Sequence, residues 1–297
     1  MAVIGFSVIY KIMLLWYNLL KTNMKYLLIN QLSGDNDMRY CFDNDLHIHS
    51  QLSSCSRDPE QTADAILKYA LDNNLKTVCL TDHYWDENVP GPSDWYAKQD
   101  YAHIAQALPL PQADGVRFLF GCETDLRADL TLGISPAVYD RFDFIIIPTT
   151  HLHMNGFTCR GDENAEERAK LWVSRFDGVL DMELPFHKVG IAHLTCSLMY
   201  KEHYLETLAC LTEKDYAPLF RKAAERGVGI ELNFPASSVN EETEDLILLP
   251  YRVAKAEGCK FYFGSDAHHP QGLANEKQNA ETIIDLLGLE ESDKFII

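Results

Sequence analysis

Nine side chains of the kinds that bind divalent cations follow directly on short apolar runs: His47, His49, Asp82, His83, Glu123, His151, His193, Asp266 and His268. In Asp45-Leu46-His47-Ile48-His49 the imidazoles are two residues apart. On an extended strand such positions share a face, so both rings can chelate one ion while Leu46 and Ile48 face the other way. A hydrogen-bonded histidine pair in the core is the alternative reading. The run Thr77-Val78-Cys79-Leu80-Thr81 ends in Asp82 and His83. Asp82 suits a ligand, a carboxylate that orients one, or a helix cap, and His83 suits a ligand. Glu123 closes Phe118-Leu119-Phe120-Gly121-Cys122, where an unpaired charge would be costly. A metal removes that cost, and a carboxylate, having two oxygens, can bridge two cations.

The remaining candidates follow the same logic. His151 is the histidine nearer the strand end and the one expected at the site, while His153 reads as an exposed loop residue. His193 ends Val189-Gly190-Ile191-Ala192, whose small residues allow close packing. Asp266 and His268, two apart after Phe261-Tyr262-Phe263-Gly264-Ser265, repeat the spacing of the first pair, and Gly264 permits close backbone approach. Asp125 reads as a solvated loop acid. His269 reads as a bystander, and His103, His187 and His203 carry no expected role.

To bring these residues together the chain must place strand ends side by side. From Asp45 onward short apolar runs alternate with longer amphipathic ones, the pattern of βα units. Seven strands are expected: Asp45–His47, Thr77–Thr81, Phe118–Cys122, Phe144–Pro148, Val189–His193, Gly229–Asn233 and Lys260–Gly264. Helices are expected near Pro59–Leu71, with Asp58 as cap, and near Trp95–Ala107, Glu163–Phe176, Lys214–Glu225, Glu244–Ala256 and Glu276–Leu287. Gly227 and Gly258 fall just past helix ends. In a parallel α/β barrel the carboxyl ends of the strands gather at one face, so ligands far apart in sequence converge there.

Composition sets the outer bounds. At 297 residues, 46% hydrophobic and 24% charged, the chain can bury a sizeable core. A formal net charge of −18 argues against a nucleic-acid partner, whose nonspecific binding rests on Lys and Arg displacing counterions. The eight cysteines are scattered with no CxxC pair, which reads as reduced thiols and a cytoplasmic protein. Ala2 to Leu20 is mostly apolar, broken by Lys11; membrane contact is expected only if this stretch is a genuine anchor. Residues 1–37 are taken as an extension, dispensable or a mis-assigned start, and 38–297 as a single domain.

In chain order, His-x-His, Thr-Asp-His, Gly-Cys-Glu, a strand-end histidine, Ile-Ala-His and Gly-Ser-Asp-Ala-His resemble the PHP family, named for polymerase and histidinol phosphatase domains. The likeness spans roughly Asp45 to His268. It implies a distorted (βα)7 barrel with two or three zinc, manganese or iron ions at its mouth. Carried over position by position, His47, His49, Glu123 and Asp266 would hold the first ion, Glu123, His151 and His193 the second, and His83 and His268 the third. The family usually supplies a further histidine soon after the His-x-His, and the stretch from Ser50 to Arg57 has none. Gln51, Ser53 and Cys55 are the near substitutes, so the third ion would be weakly held, water-completed, or bound through the Cys55 thiolate if it is zinc.

The implied activity is hydrolysis of a small phosphomonoester. Paired cations lower the pKa of a bridging water and neutralise charge on the leaving oxygen, and the expected nucleophile is that bridging hydroxide. Glu123, Asp266 and His268 are the expected catalytic residues, and Arg160, in a loop after the fourth strand, the expected phosphate clamp. Two rivals remain. An amidohydrolase-type barrel also opens with His-x-His, but often needs a bridging lysine where this chain has Glu123. A non-catalytic PHP-like binding module is the other, and a nearly full ligand set argues against it.

Overall fold

A computed structural model describes residues 38–297; the apolar stretch from Ala2 to Leu20 and the rest of the expected extension lie outside the described residues. Runs rich in Ile, Val, Leu and aromatic residues form short strands: β1 (Asn44–Ile48), β2 (Thr77–Leu80), β3 (His83–Tyr84), β4 (Arg117–Phe120), β5 (Cys122–Thr124), β6 (Ile145–Ile147), β7 (Val189–Ile191), β8 (Gly229–Leu232) and β9 (Lys260–Phe263). All their ladders are parallel, in the orders β1-β2-β4 and β3-β5-β6-β7-β8-β9.

Two breaks reduce these segments to the seven expected positions. Only Thr81 and Asp82 separate β2 from β3, only Gly121 separates β4 from β5, and β2 pairs β4 just as β3 pairs β5. A Cβ at Gly121 would press on the Phe144 carbonyl and Cys79 Sγ, so glycine is required at that kink. At the seam between β1 and β9, Asp266 N donates to the His47 carbonyl at 2.7 Å and His49 N to the Ala267 carbonyl at 3.0 Å. The architecture is a distorted α/β barrel of the expected class.

The helices are α1 (Ala63–Asp72), α2 (Tyr101–Ile104), α3 (Ala165–Leu180), α4 (Tyr204–Ala209), α5 (Glu213–Arg226), α6 (Glu244–Ala256) and α7 (Glu276–Leu287). Two of the six expected helices are altered, and α4 was not among those expected. α1 begins at Ala63 under a Thr62 cap, not at Pro59, because Asp58 spends its carboxylate on Glu60 N and the Gln61 side-chain amide is drawn to the His49 and Ala267 carbonyls. The helix expected over Trp95–Ala107 is broken into α2 and flanking 3-10 turns. Gln99 caps Ser54 N with its side chain, and Asp100 restarts the helix by accepting from His103 N. The loop from Asp86 is tied down at its start, where buried Asp86 accepts from Asn88 N and Ser135 Oγ.

Beneath the strand ends, Leu46, Cys79, Leu119, Phe144, Ile146, Ala192 and Tyr262 meet Phe295 in a small core, the filled interior that a barrel requires. Ile48 belongs to the larger surrounding core. Leu46 and Ile48 therefore do not share a face as strict alternation demands, since β1 shifts register between Asp45 and Ile48. All eight cysteines are free. Among the described residues no helix is long and apolar enough to cross a membrane.

Candidate metal centre

The ligand-type residues collect at the carboxyl ends of the strands, and two of them sit on strained backbone. His193, after β7, has φ 31° and Asp266, after β9, has φ 53°, a region that non-glycine residues enter rarely. Each is held there by a short bond from its own amide: His193 N donates to Glu231 Oε2 at 2.7 Å, and Asp266 N donates to the His47 carbonyl at 2.7 Å.

Proton bookkeeping indicates what the first group is built for. His47 Nδ1 donates to Glu231 Oε1 at 2.7 Å; a neutral imidazole has one N–H, so Nε2 keeps a bare lone pair. Ser53 Oγ gives its only hydrogen to Asp82 Oδ1 at 2.7 Å and therefore accepts from His49 Nδ1 at 2.8 Å, which leaves His49 Nε2 bare as well. These two nitrogens stand 3.1 Å apart. Glu123 Oε2 lies 3.5 and 3.2 Å from them, and Asp266 Oδ1 3.4 and 3.1 Å. Four electron-rich atoms so close repel unless positive charge lies among them, and this donor set suits a divalent cation.

A second group uses the other oxygen of Glu123. His151 Nδ1 donates to Asp125 Oδ2 at 2.8 Å, and its Nε2 lies 3.8 Å from Glu123 Oε1. His193 Nδ1 bonds Thr150 Oγ1 at 2.8 Å and its Nε2 lies 3.5 Å from the same oxygen. Glu123 Oε1 and His193 Nε2 are buried without a hydrogen-bond partner, a state native proteins avoid. A third group joins His83 and His268 with His49 and Cys55; within each group the ligand-type atoms lie within 4.8 Å of one another. His268 stacks on His49 at 4.2 Å and donates from Nδ1 to the Asp266 carbonyl at 2.7 Å.

The charges agree with this partition. Burial pulls the His49 imidazole down, but the Asp266 and Glu123 carboxylates outweigh it and lift it to about 9; His47 rises well above its ordinary value against the same opposition. Burial opposes ionisation of Glu123, yet His83 and His47 hold its carboxyl well below the usual range. His268 falls to about 4 through burial and its neighbour His49, and burial keeps His83 well below its ordinary value. Protons and a cation are thus alternative ways of balancing the same carboxylates.

The PHP domain profile matches residues 45–235. The chain belongs to the PHP family. Asp266 and His268 lie beyond that match, and β9 returns them to the PHP centre. Among solved structures, the histidinol phosphate phosphatase of Lactococcus lactis subsp. lactis Il1403, crystallised with zinc, L-histidinol and phosphate, is 15% identical, with 86% of this chain and 99% of that one covered at a TM-score of 0.53. The putative histidinol phosphatase of Listeria monocytogenes is 14% identical, with 79% and 98% covered at a TM-score of 0.55. At such identities the likeness is one of fold. No curated protein sequence matches significantly.

Over the PHP centre opens a cavity of about 570 Å³ whose walls include Trp95, Tyr96, Met154, Phe157 and Leu198 beside Glu123, Asp266 and His268. Among the described residues no Lys or Arg lines it. Arg160, the expected phosphate clamp, is not brought there: its exposed guanidinium lies 2.9 Å from Asp162 and 3.7 Å from Glu167, because nearby loop and helix acids satisfy it. His153 is exposed and lines the cavity, and His269 accepts from Gly272 N.

Two supporting residues, Asp125 and Glu231, differ from the sequence reading, and for Asp82 the structure decides among the three alternatives. Asp125 is not a solvated acid; it is fully buried, held by Tyr96 Oη at 3.1 Å, and fixes His151. Asp82 is an orienting carboxylate rather than a helix cap, accepting from Ser50 N, Ser50 Oγ and Ser53 Oγ. Glu231 was missed altogether. Its signal was a lone acid inside Gly229-Ile230-Glu231-Leu232, since a charge in a buried strand needs a partner.

Proposed function

We propose that this protein is a divalent-metal-dependent phosphatase acting on a small phosphomonoester. The observation that carries the reading is the convergence of bare imidazole nitrogens on the two oxygens of Glu123 and on Asp266. His47, His49, Glu123 and Asp266 would hold one ion and Glu123, His151 and His193 a second, with His83 and His268 for a third. Such ions activate water near neutrality and draw charge from phosphoryl oxygens.

The protein's own groups do the rest. Glu123, buried and touching both groups, keeps them at a fixed separation. Asp266 turns Oδ1 to the imidazoles and is partly open to the cavity, so its second oxygen can take the proton of the attacking water. Trp95, Tyr96 and Phe157 exclude bulk water and seat the alcohol portion of the substrate, while Ser93 and Asn155 offer it hydrogen bonds. With no cationic side chain on the wall, recognition of the phosphate falls to the centre itself. The phosphatase that crystallised with L-histidinol and phosphate makes an amino-alcohol phosphate a sensible first substrate.

The test is a panel of phosphomonoesters and amides offered to protein loaded separately with zinc and manganese. Phosphate release with amides left intact is the expected result. Hydrolysis of amides alone, or no turnover with either class, would overturn the reading.

A further inference from the structure

Between Ser50 and Arg57 the chain has no histidine, and Cys55 is the soft donor in that stretch. The fold sets it beside His49, His83 and His268, with one ligand-type atom of each within 4.8 Å of all the others. His49 has no nitrogen to spare for this group. Its Nδ1 is engaged by Ser53, and its Nε2 faces Glu123 and Asp266. A thiol and two imidazoles remain.

A second observation points to a ligand at this place. His83 is 6% exposed, and its Nδ1 has no hydrogen-bond partner; Glu123 Oε2 comes within 3.0 Å but out of line for a bond. His268, whose Nδ1 is taken by the Asp266 carbonyl, has its other nitrogen free for a cation. The cost of leaving a buried imidazole nitrogen unpaired disappears if a positive ion takes its lone pair.

We propose that Cys55 is a thiolate ligand and that Cys55, His83 and His268 form a zinc-selective third position in the centre. This rests on the metal-hydrolase reading above and adds to it a choice of metal. A thiolate with two imidazoles is a soft to borderline donor set that favours zinc, whereas the groups containing Glu123 and Asp266 offer oxygen and accept manganese more readily. Three protein ligands leave the fourth place of a tetrahedral ion open. Cys55, His83 and His268 all line the cavity, so an ion held by them would lie within reach of a bound substrate. Cys55 is exposed and also borders a shallow depression with Arg57, Asp58 and His269, which provides an entry path for the ion. Manganese alone should therefore fill the centre incompletely, and zinc should complete it.

The experiment uses the full chain, stripped with chelator and titrated with Co²⁺ and with Zn²⁺, as wild type, Cys55→Ala, Cys55→Ser, Cys55→His and, for an exposed thiol elsewhere, Cys210→Ala. The readouts are the thiolate-to-cobalt charge-transfer absorption in the near ultraviolet and bound zinc per chain by mass spectrometry. Wild type and Cys210→Ala should show the absorption, and all three Cys55 variants should lack it. Bound zinc should fall by about one ion per chain in Cys55→Ala and return in Cys55→His; Cys55→Ser, closest in size to the thiol, serves where alanine disturbs the fold. A wild type that binds ions and releases phosphate without the thiolate absorption overturns the Cys55 assignment alone, as does a Cys55 variant that keeps it. A wild type that binds no ion and turns nothing over overturns the phosphatase reading itself.

Discussion

Glu231→Gln replaces one oxygen behind the centre and should loosen the first ion. Glu231 is wholly buried, with Oε1 accepting from His47 Nδ1 and Oε2 from His193 N, both at 2.7 Å. Glutamine offers one acceptor and one NH2, so whichever way the amide turns, one of those donors meets another donor. His193 N belongs to a backbone already held at φ 31° and cannot yield easily. The side-chain oxygen should therefore stay with it, leaving the amide NH2 against His47. The imidazole escapes by moving its proton to Nε2, which removes the lone pair facing His49, Glu123 and Asp266. On the Gly264 side the pair is tightly enclosed, since a Cβ there would overlap Glu231 Oε1 and His47 Cβ. A hydrogen bond to a charged group contributes about 1.5–3 kcal/mol. Loss of a group orienting a metal-bound histidine lowers metal affinity about 10–100-fold, which is about 1.4–2.8 kcal/mol; the two routes agree. Competition for zinc against a chromogenic chelator measures the affinity, and activity at excess zinc should recover in part. Unchanged zinc affinity in a variant of unchanged Tm would refute the reasoning.

Other substitutions probe separate parts of the argument. His49→Ala and Asp266→Asn, the latter chosen because asparagine tolerates φ 53°, should abolish phosphate release with the circular dichroism spectrum preserved; full activity in either removes the site. With His49 lifted to about 9 in the ion-free state, zinc must displace a proton there, so affinity should climb with pH and level off above about 9. Calorimetry in buffers of different ionisation heat reads the protons released, and none released near neutrality would contradict it. The same shift means that His49 stabilises the ion-free fold fully below about 6.5 and loses that contribution as pH rises through about 9, which a melting series can follow. Glu276 is pushed from 4.5 up to about 8 by burial and then by Asp45. A carboxyl raised on folding costs stability increasingly as pH climbs from its unfolded to its folded value, so Glu276→Gln should raise stability at about pH 8, by a few kcal/mol at most, and leave it unchanged near pH 4. Equal melting temperatures at the higher pH would sink that attribution.

The strands were legible because their apolar runs are short and bounded by polar residues, and His47, His49, Glu123, His151, His193 and Asp266 stood out because each ends such a run. The missed features share a cause. Whether Asp125 faces water or His151 depends on Tyr96 and on the fold that buries both. The break in the helix expected over Trp95–Ala107 depends on Gln99 reaching Ser54, a contact between separate segments. Arg160 was misplaced because a cation near a strand end in sequence can be claimed by its own loop, here by Asp162.

Taken alone, the order of residues determined which donors exist and that they end successive strands, because strictly parallel βα alternation sends every carboxyl end to the same side. Only the tertiary structure decided which nitrogen of each ring is bare. That is settled by a partner about 3 Å away, and for His47 the partner is Glu231, 184 positions distant. Proton placement follows distance in space, and a linear chain carries no distances of that kind.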